Sequence, residues 1–178
     1  FTLSRRVPDY VPRAKAIAQL ESERRAGAAP AALRAILARV GDADALMPST
    51  QLGSCVFANK PGDGSAREQA ASCQRVLGGA ANICYEFATK RYRSNCINWG
   101  MLPFTLDEGA AFSAEPGDYV FVPGVREALR AGKTDFPATL IHAGGRTEPV
   151  LLHIRGLTGD EMDILLDGCL MNYYANRA

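Results

Sequence analysis

A mixed α/β fold is predicted for this 178-residue chain, a compact layered barrel rather than a doubly wound sheet. Three observations predict it. Short apolar runs at 54–58, 80–85 and 150–154 have the length of strands. Helical stretches lie among them without a regular strand–helix–strand alternation. The chain closes on a helix whose Met162, Leu165, Leu166, Cys169, Leu170 and Tyr173 recur at i, i+3, i+4, i+7 spacing, a stripe suited to core or interdomain packing.

The elements follow in order. Prolines 8 and 12 mark 7–12 as extended, because each disfavours helical backbone at the residue before it. Residues 13–25 read as an exposed helix, with Ala14, Ile17, Ala18 and Leu20 on or near one face and Glu21, Glu23, Arg24 and Arg25 mostly solvated. Gly27 to Pro30 breaks it, and 31–40 forms a second short helix with Leu33, Ile36, Leu37 and Val40 at helical spacing. Residues 1–40 thus read as a helical linker or arm, or as a docking arm for further domains, ahead of a domain at 41–178. Within that domain, 54–58 is a strand, 66–77 a helix ended by Gly78 and Gly79, and 80–85 a buried strand followed by a helical turn over 86–94. Strands at 101–105 and 118–122, a helix at 126–131 and strands at 138–142 and 150–154 complete it. Thr158 and Glu161 open the last helix as a capping box.

The stretch that carries chemistry is 60–70, Lys-Pro-Gly-Asp-Gly-Ser-Ala-Arg-Glu-Gln-Ala. It joins a strand to a helix through glycines, with Ser65 at the turn and Arg67 one step inside. A helix start attracts anions because its first N–H groups are unpaired and the macrodipole is positive there. An arginine fork at that place suits a carboxylate or a phosphate. The same residues have a plainer use: Ser65 and Glu68 fit a capping box, and Asp63-Gly64 is ordinary turn chemistry. Gly62-x-Gly64 lacks the third glycine of a dinucleotide fingerprint and no Gly-Lys-Ser/Thr sequence exists, which argues against nucleotide binding. His142 and His153 sit in apolar strands and read as satisfied core or surface residues, with no Ser/His/Asp arrangement visible. Trp99 reads as a packing anchor.

Composition narrows the classes. A hydrophobic fraction of 47% permits a real core. A net charge of +1 offers nothing to nucleic acid or an anionic membrane. No apolar run approaches the ~20 residues of a membrane span. The chain opens with Phe1 and no secretory signal, so it reads as a fragment or a processed product. Its five cysteines are odd in number and show no Cys-x-x-Cys spacing, against a disulfide framework and a local zinc or cluster site. Free thiols in a reducing cytoplasm are the expectation.

Gly62-Asp-Gly-Ser-Ala-Arg-Glu-Gln resembles the Gly-x-Gly-Ser-Ser-Arg-Glu-His signature of the aconitase family. A second block, Phe87-Ala-Thr-Lys-Arg-Tyr-Arg-Ser-Asn-Cys-Ile-Asn-Trp-Gly-Met-Leu-Pro103, is similar to the family's Ser-Phe-Ala segment that leads to an asparagine and then Gly-Leu-Leu-Pro. Order and spacing of the blocks agree across 54–104. The resemblance is to the mobile C-terminal domain alone, which in two-subunit members such as isopropylmalate isomerase is the small subunit. It implies a β/β/α swivelling-domain barrel and the dehydration and rehydration of a hydroxy di- or tricarboxylic acid. It makes Ser65 the base and Arg67 the carboxylate ligand, with Gly64 and Ala66 beside the substrate. It implies a [4Fe-4S] cluster held by three cysteines of other domains, in cis or on a large subunit in trans, and none held by this chain. The isolated chain is therefore expected to be silent. Arg91, Arg93 and Asn95 of the second block read as braces rather than substrate ligands.

The chain departs from the family pattern in three places. Ala66 stands where a second serine is common, and Gln69 where a histidine is common. The stretch 41–48 lacks the histidine of the family's Thr-Asp-His-Ile block, leads by a very short loop to Ser54, and offers no counterpart to a further arginine. These departures motivate an alternative, a non-catalytic carboxylate-binding or regulatory module on the same scaffold. A free small subunit of an isopropylmalate-isomerase-like pair is a third reading.

Overall fold

The computed structural model describes residues 2–178. Four helices come first: α1 (Thr2–Arg6), α2 (Tyr10–Arg25), α3 (Ala31–Leu37) and α4 (Ala43–Leu46). Then follow β1 (Ser54–Phe57), α5 (Arg67–Val76), β2 (Gly79–Cys84), α6 (Lys90–Asn98) and β3 (Leu102–Thr105). The chain ends with β4 (Tyr119–Phe121), α7 (Val125–Arg130), β5 (Asp135–Ile141), β6 (Thr147–His153), α8 (Gly159–Asp167) and α9 (Leu170–Ala175).

The strands form one curled sheet, a half-barrel in the order β1-β2-β3-β6-β5-β4. Strands β1, β2 and β3 run parallel, joined by crossovers through α5 and α6. Strands β3, β6, β5 and β4 pair antiparallel, with Thr105 opposite His153 at the junction of the two halves. The mixed α/β class expected from the sequence is the one observed, with the sheet open between its edge strands β1 and β4. The main core joins Ile83, Phe104, Phe136 and Leu152 of the sheet to Ile97, Leu129, Ile164 and Leu165 of the helices. Phe104 and Phe136 meet edge to face at 5.5 Å, the arrangement favoured by the ring quadrupoles. A second cluster, Ala71, Tyr92, Cys96 and Met101 with Phe87 and Trp99, packs α5 against α6 and so fixes the start of α5.

The N-terminal residues pack closely. Leu33 and Leu37 of α3 are buried with Met47, against Leu52 at the entry to β1 and Phe121 of β4. A helical layer thus spans the two edges of the sheet. Two sequence expectations need correction here. Residues 7–12 are not extended, because α2 begins at Tyr10 with Pro12 in its first turn. A first-turn N–H has no intrahelical partner to lose, so proline is tolerated there. Nor is Glu21 solvated: it is 7% exposed, and its carboxylate accepts from Arg24 at 2.8 Å, Arg25 at 2.7 Å and the Leu52 N–H at 3.0 Å. A paired carboxylate can be buried where a lone one cannot.

Two further boundaries move. The helical turn expected at 86–94 is a loop followed by α6, because Thr89 caps the helix by accepting from the Tyr92 N–H at 3.2 Å. The closing stripe is split at Gly168, whose φ of +94° ends α8. Met162, Leu166, Leu170 and Tyr173 still lie against the main core, together with buried Ile164, which the stripe missed. The Thr158 and Glu161 capping box is formed as expected.

Candidate active site

Strand β1 places the loop 58–66 at the carboxyl end of the parallel half of the sheet, where open α/β sheets commonly bind ligands. The loop is fixed from the second sequence block. The Ala88 N–H donates to the Pro61 carbonyl at 2.8 Å, and Thr89 Oγ1 donates to the Gly62 carbonyl at 3.2 Å. Gly62 has a φ of +99°, and a Cβ there would lie 2.5 Å from that of Tyr92. Gly64 is different: it is exposed, and nothing lies within 4 Å of where its Cβ would be. Its backbone is open to an incoming group.

Helix α5 starts at Arg67, with Ala66 as its N-cap residue and no side-chain cap from it. Arg67 Nε donates to the Gly62 carbonyl at 3.1 Å. The rest of its fork makes no hydrogen bond among the described residues. One donor therefore orients the guanidinium, and the terminal ones are left without a protein partner among the described residues. Ser65 and Ala66 are both exposed beside it. So Ser65, Ala66, Arg67 and Gly64 lie together in one exposed turn, as consecutive residues of the loop and the first helical residue.

The expected Ser65–Glu68 capping box is absent. Glu68 is engaged from α6 instead. Trp99 Nε1 donates to Glu68 Oε1 at 2.6 Å. With its amide set to satisfy both groups, Asn95 donates to Glu68 Oε2 at 3.2 Å and accepts from the Glu68 N–H at 3.0 Å. Ser65 Oγ has no hydrogen-bond partner among the described residues. Sequence reasoning took Asn95 for a general brace and Trp99 for packing alone. The signal for their joint role was their spacing, since i and i+4 on α6 share a face.

Charged and polar groups pair beside the loop and elsewhere in the domain. Lys60 pairs with Glu86 at 2.6 Å on the rim of an open crevice of about 600 Å³, which Asn59, Tyr85 and Glu108 also line. Arg93 braces α6 by donating to the Arg155 carbonyl at 2.9 Å. His142 Nδ1 faces Asp118 at 2.8 Å and its Nε2 faces Arg146 at 2.9 Å, while Ser113 hydrogen-bonds to Glu148 rather than to the histidine. His153, 2% exposed, sits between Asp135 at 2.8 Å and Asp107 at 3.2 Å. The Arg155 hydrogen bond leads the influences that hold the Asp107 carboxyl below the usual carboxylate range. Among the described residues neither histidine forms a nucleophile–base pair with a serine.

The two buried thiols are unlike catalytic ones. Burial pushes the Cys84 thiol up to about 12 and the Cys96 thiol up to about 11, so both stay protonated at neutral pH. Among the described residues no three side chains of His, Cys, Asp or Glu gather as a metal site. The described residues therefore offer no ligand set for an iron–sulfur cluster.

Comparison with known proteins bears on the same stretch. The family described as "Aconitase C-terminal domain" matches residues 39–109, which contain the whole site. The chain is 32% identical over 127 residues to "Aconitate hydratase A" of Bradyrhizobium diazoefficiens, covering 69% of this chain and 14% of that protein. It is 34% identical over 118 residues to "Aconitate hydratase, mitochondrial" of Schizosaccharomyces pombe, covering 65% of this chain and 14% of that protein. It is 36% identical over 112 residues to the "3-isopropylmalate dehydratase small subunit" of Metallosphaera sedula, covering 63% of this chain and 58% of that protein. The match thus spans a small part of the aconitate hydratases and more than half of the small subunit.

Proposed function

We propose, from its likeness to the C-terminal domain of the aconitase family, that this chain supplies the proton-transferring half of a hydro-lyase site. The substrate is a hydroxy di- or tricarboxylic acid. In the dehydrating direction the Ser65 alkoxide takes the proton from the carbon next to a carboxylate and becomes a hydroxyl, the C–H electron pair forms the double bond, and the neighbouring carbon releases hydroxide, which takes a proton from solvent while the serine returns its own. The products are the unsaturated acid and water. A serine hydroxyl is a poor base, so its oxyanion must be stabilised by fixed donors in a site poor in water. The open N–H groups at the start of α5 and the Arg67 guanidinium are such donors. Arg67 binds a substrate carboxylate through its terminal N–H groups, with Gly64 and the Ala66 N–H against the substrate. Alanine at 66 lacks the hydroxyl of the family's second serine and keeps that N–H.

One observation carries the reading: Ser65 keeps its hydroxyl unpaired although Glu68 stands at capping-box spacing. The [4Fe-4S] cluster belongs on other domains, where it would supply the Lewis acid for the departing hydroxide. Those domains lie in cis, as in a one-chain aconitate hydratase, or on a large subunit in trans. Residues 1–40 are the arm of the domain at 41–178. The isolated chain is silent, and its thiol usage suits the cytoplasm. No helix among the described residues is long and apolar enough to cross a membrane.

Arg67→Lys in the assembled enzyme tests the carboxylate role. A lysine cannot pair bidentately, so kcat/KM should fall about 10- to 100-fold; a value equal to wild type contradicts the assignment. The regulatory-module reading draws on a separate observation. Residues 41–48 form the short α4 and bury Met47 in the core, without the family's histidine or further arginine. Under that reading the full protein binds a carboxylic acid and turns none of it over.

A further inference from the structure

Two caps compete for helix α5. By sequence, Ser65 and Glu68 form a box in which the serine hydroxyl accepts from the Glu68 N–H and the Glu68 carboxylate accepts from the Ser65 N–H. In the structure Glu68 is satisfied from α6 instead. Asn95 takes its N–H at 3.0 Å, and Asn95 and Trp99 occupy its carboxylate at 3.2 and 2.6 Å. The α5–α6 packing through Ala71, Tyr92, Cys96 and Met101 holds these donors in place. The consequence falls on Ser65, which stays exposed outside the helix while Ala66 takes the cap position with a φ of −87° and a ψ of 50°.

We propose that Asn95 and Trp99 are positioning residues for Ser65: by capping α5 from α6 they keep the serine hydroxyl out of the capping box and available to a ligand. A hydroxyl locked onto the Glu68 N–H would have one lone pair occupied and would point back over the helix. Its oxygen would then be turned out of a substrate's reach. The proposal deepens the reading of Ser65 as the base. The competition between caps, however, is a property of this chain alone and can be measured without turnover.

The test is a double-mutant cycle read by thermal unfolding of the 178-residue chain. Ser65→Ala alone should leave the Tm unchanged within about 1 °C, since the hydroxyl caps nothing. In an Asn95→Ala/Trp99→Phe background, Ser65→Ala should lower the Tm by about 2–4 °C, because the serine has become the cap there. Equal effects in both backgrounds overturn the proposal. Asn95→Ala alone frees the Glu68 N–H, so it carries the same cycle if the double background does not fold. In the assembled enzyme, Asn95→Ala should lower kcat about tenfold while KM changes less than twofold, because the Arg67 tie to Gly62 is untouched. A raised KM with unchanged kcat also overturns it. Full turnover by Ser65→Ala would remove the base reading and leave the stability cycle to decide between the caps.

Discussion

Gly62 shows how one residue can set a site. Its φ of +99° is left-handed backbone, and a Cβ would meet the Tyr92 ring at 2.6 Å. Gly62→Ala should therefore destabilise the chain by about 2–4 kcal/mol, from backbone strain and a clash in a packed core. Chemical denaturation measures this, and a loss under about 1 kcal/mol would show that the loop yields. The placement of Ser65, Arg67 and the two glycines at a turn before a helix could be read in the sequence because a strand, a glycine turn and a helix start are local features. The use of Glu68 could not. Its partner choice depends on how close α6 comes to α5, which is set by Ala71 and Cys96 packing across some 25 residues of chain. Glu21 was misread for the same reason, since its burial depends on the Leu52 N–H 31 residues away.

Elements couple through that carboxylate. Glu21 of α2 ties the arm to the segment entering β1, and Arg24 adds hydrogen bonds to the carbonyls of Met47 and Pro48 at 3.4 and 3.2 Å. Burial pushes the Glu21 carboxyl up, but hydrogen bonds from Arg24, Arg25 and Leu52 outweigh it and hold the group at about 2 rather than 4.5. A depressed carboxyl stabilises the fold above its unfolded value and loses that contribution as the pH falls. The loss should run from pH 4.5 down to about 2. Glu21→Gln should cost about 2 kcal/mol at neutral pH and flatten the stability profile in that acid window. An unchanged acid limb in the variant would place the acid-sensitive group elsewhere. At this scale the strands and caps were mostly legible, because period and capping chemistry are local. The helical first turn at Pro12 was not, because a proline rule for helix interiors says little about helix starts.

Across the whole molecule, the half-barrel leaves β1 and β4 as edges, and α3 and α4 cover the gap between Leu52 and Phe121. Removing residues 1–40 would uncover Met47, Leu52 and Phe121 and delete buried Leu33 and Leu37. At roughly 1.5–3 kcal/mol for each buried leucine, the 41–178 fragment should melt about 10 °C or more below the full chain. A fragment with an unchanged Tm would show that the arm is only a linker. The fold class came from strand length and element order. The placement of the arm did not, since it rests on contacts between α3 and the distant β4.

The central claim is that Ser65 moves the proton. It is tested most directly by kcat for hydroxy-acid dehydration in the cluster-loaded parent protein or assembly, comparing wild type with Ser65→Ala. Loss of the base should lower kcat by about 10²- to 10⁴-fold, with KM nearly unchanged because Arg67 still binds the carboxylate. A variant that turns over at the wild-type rate would contradict the claim and leave this turn a carboxylate-binding site without a base.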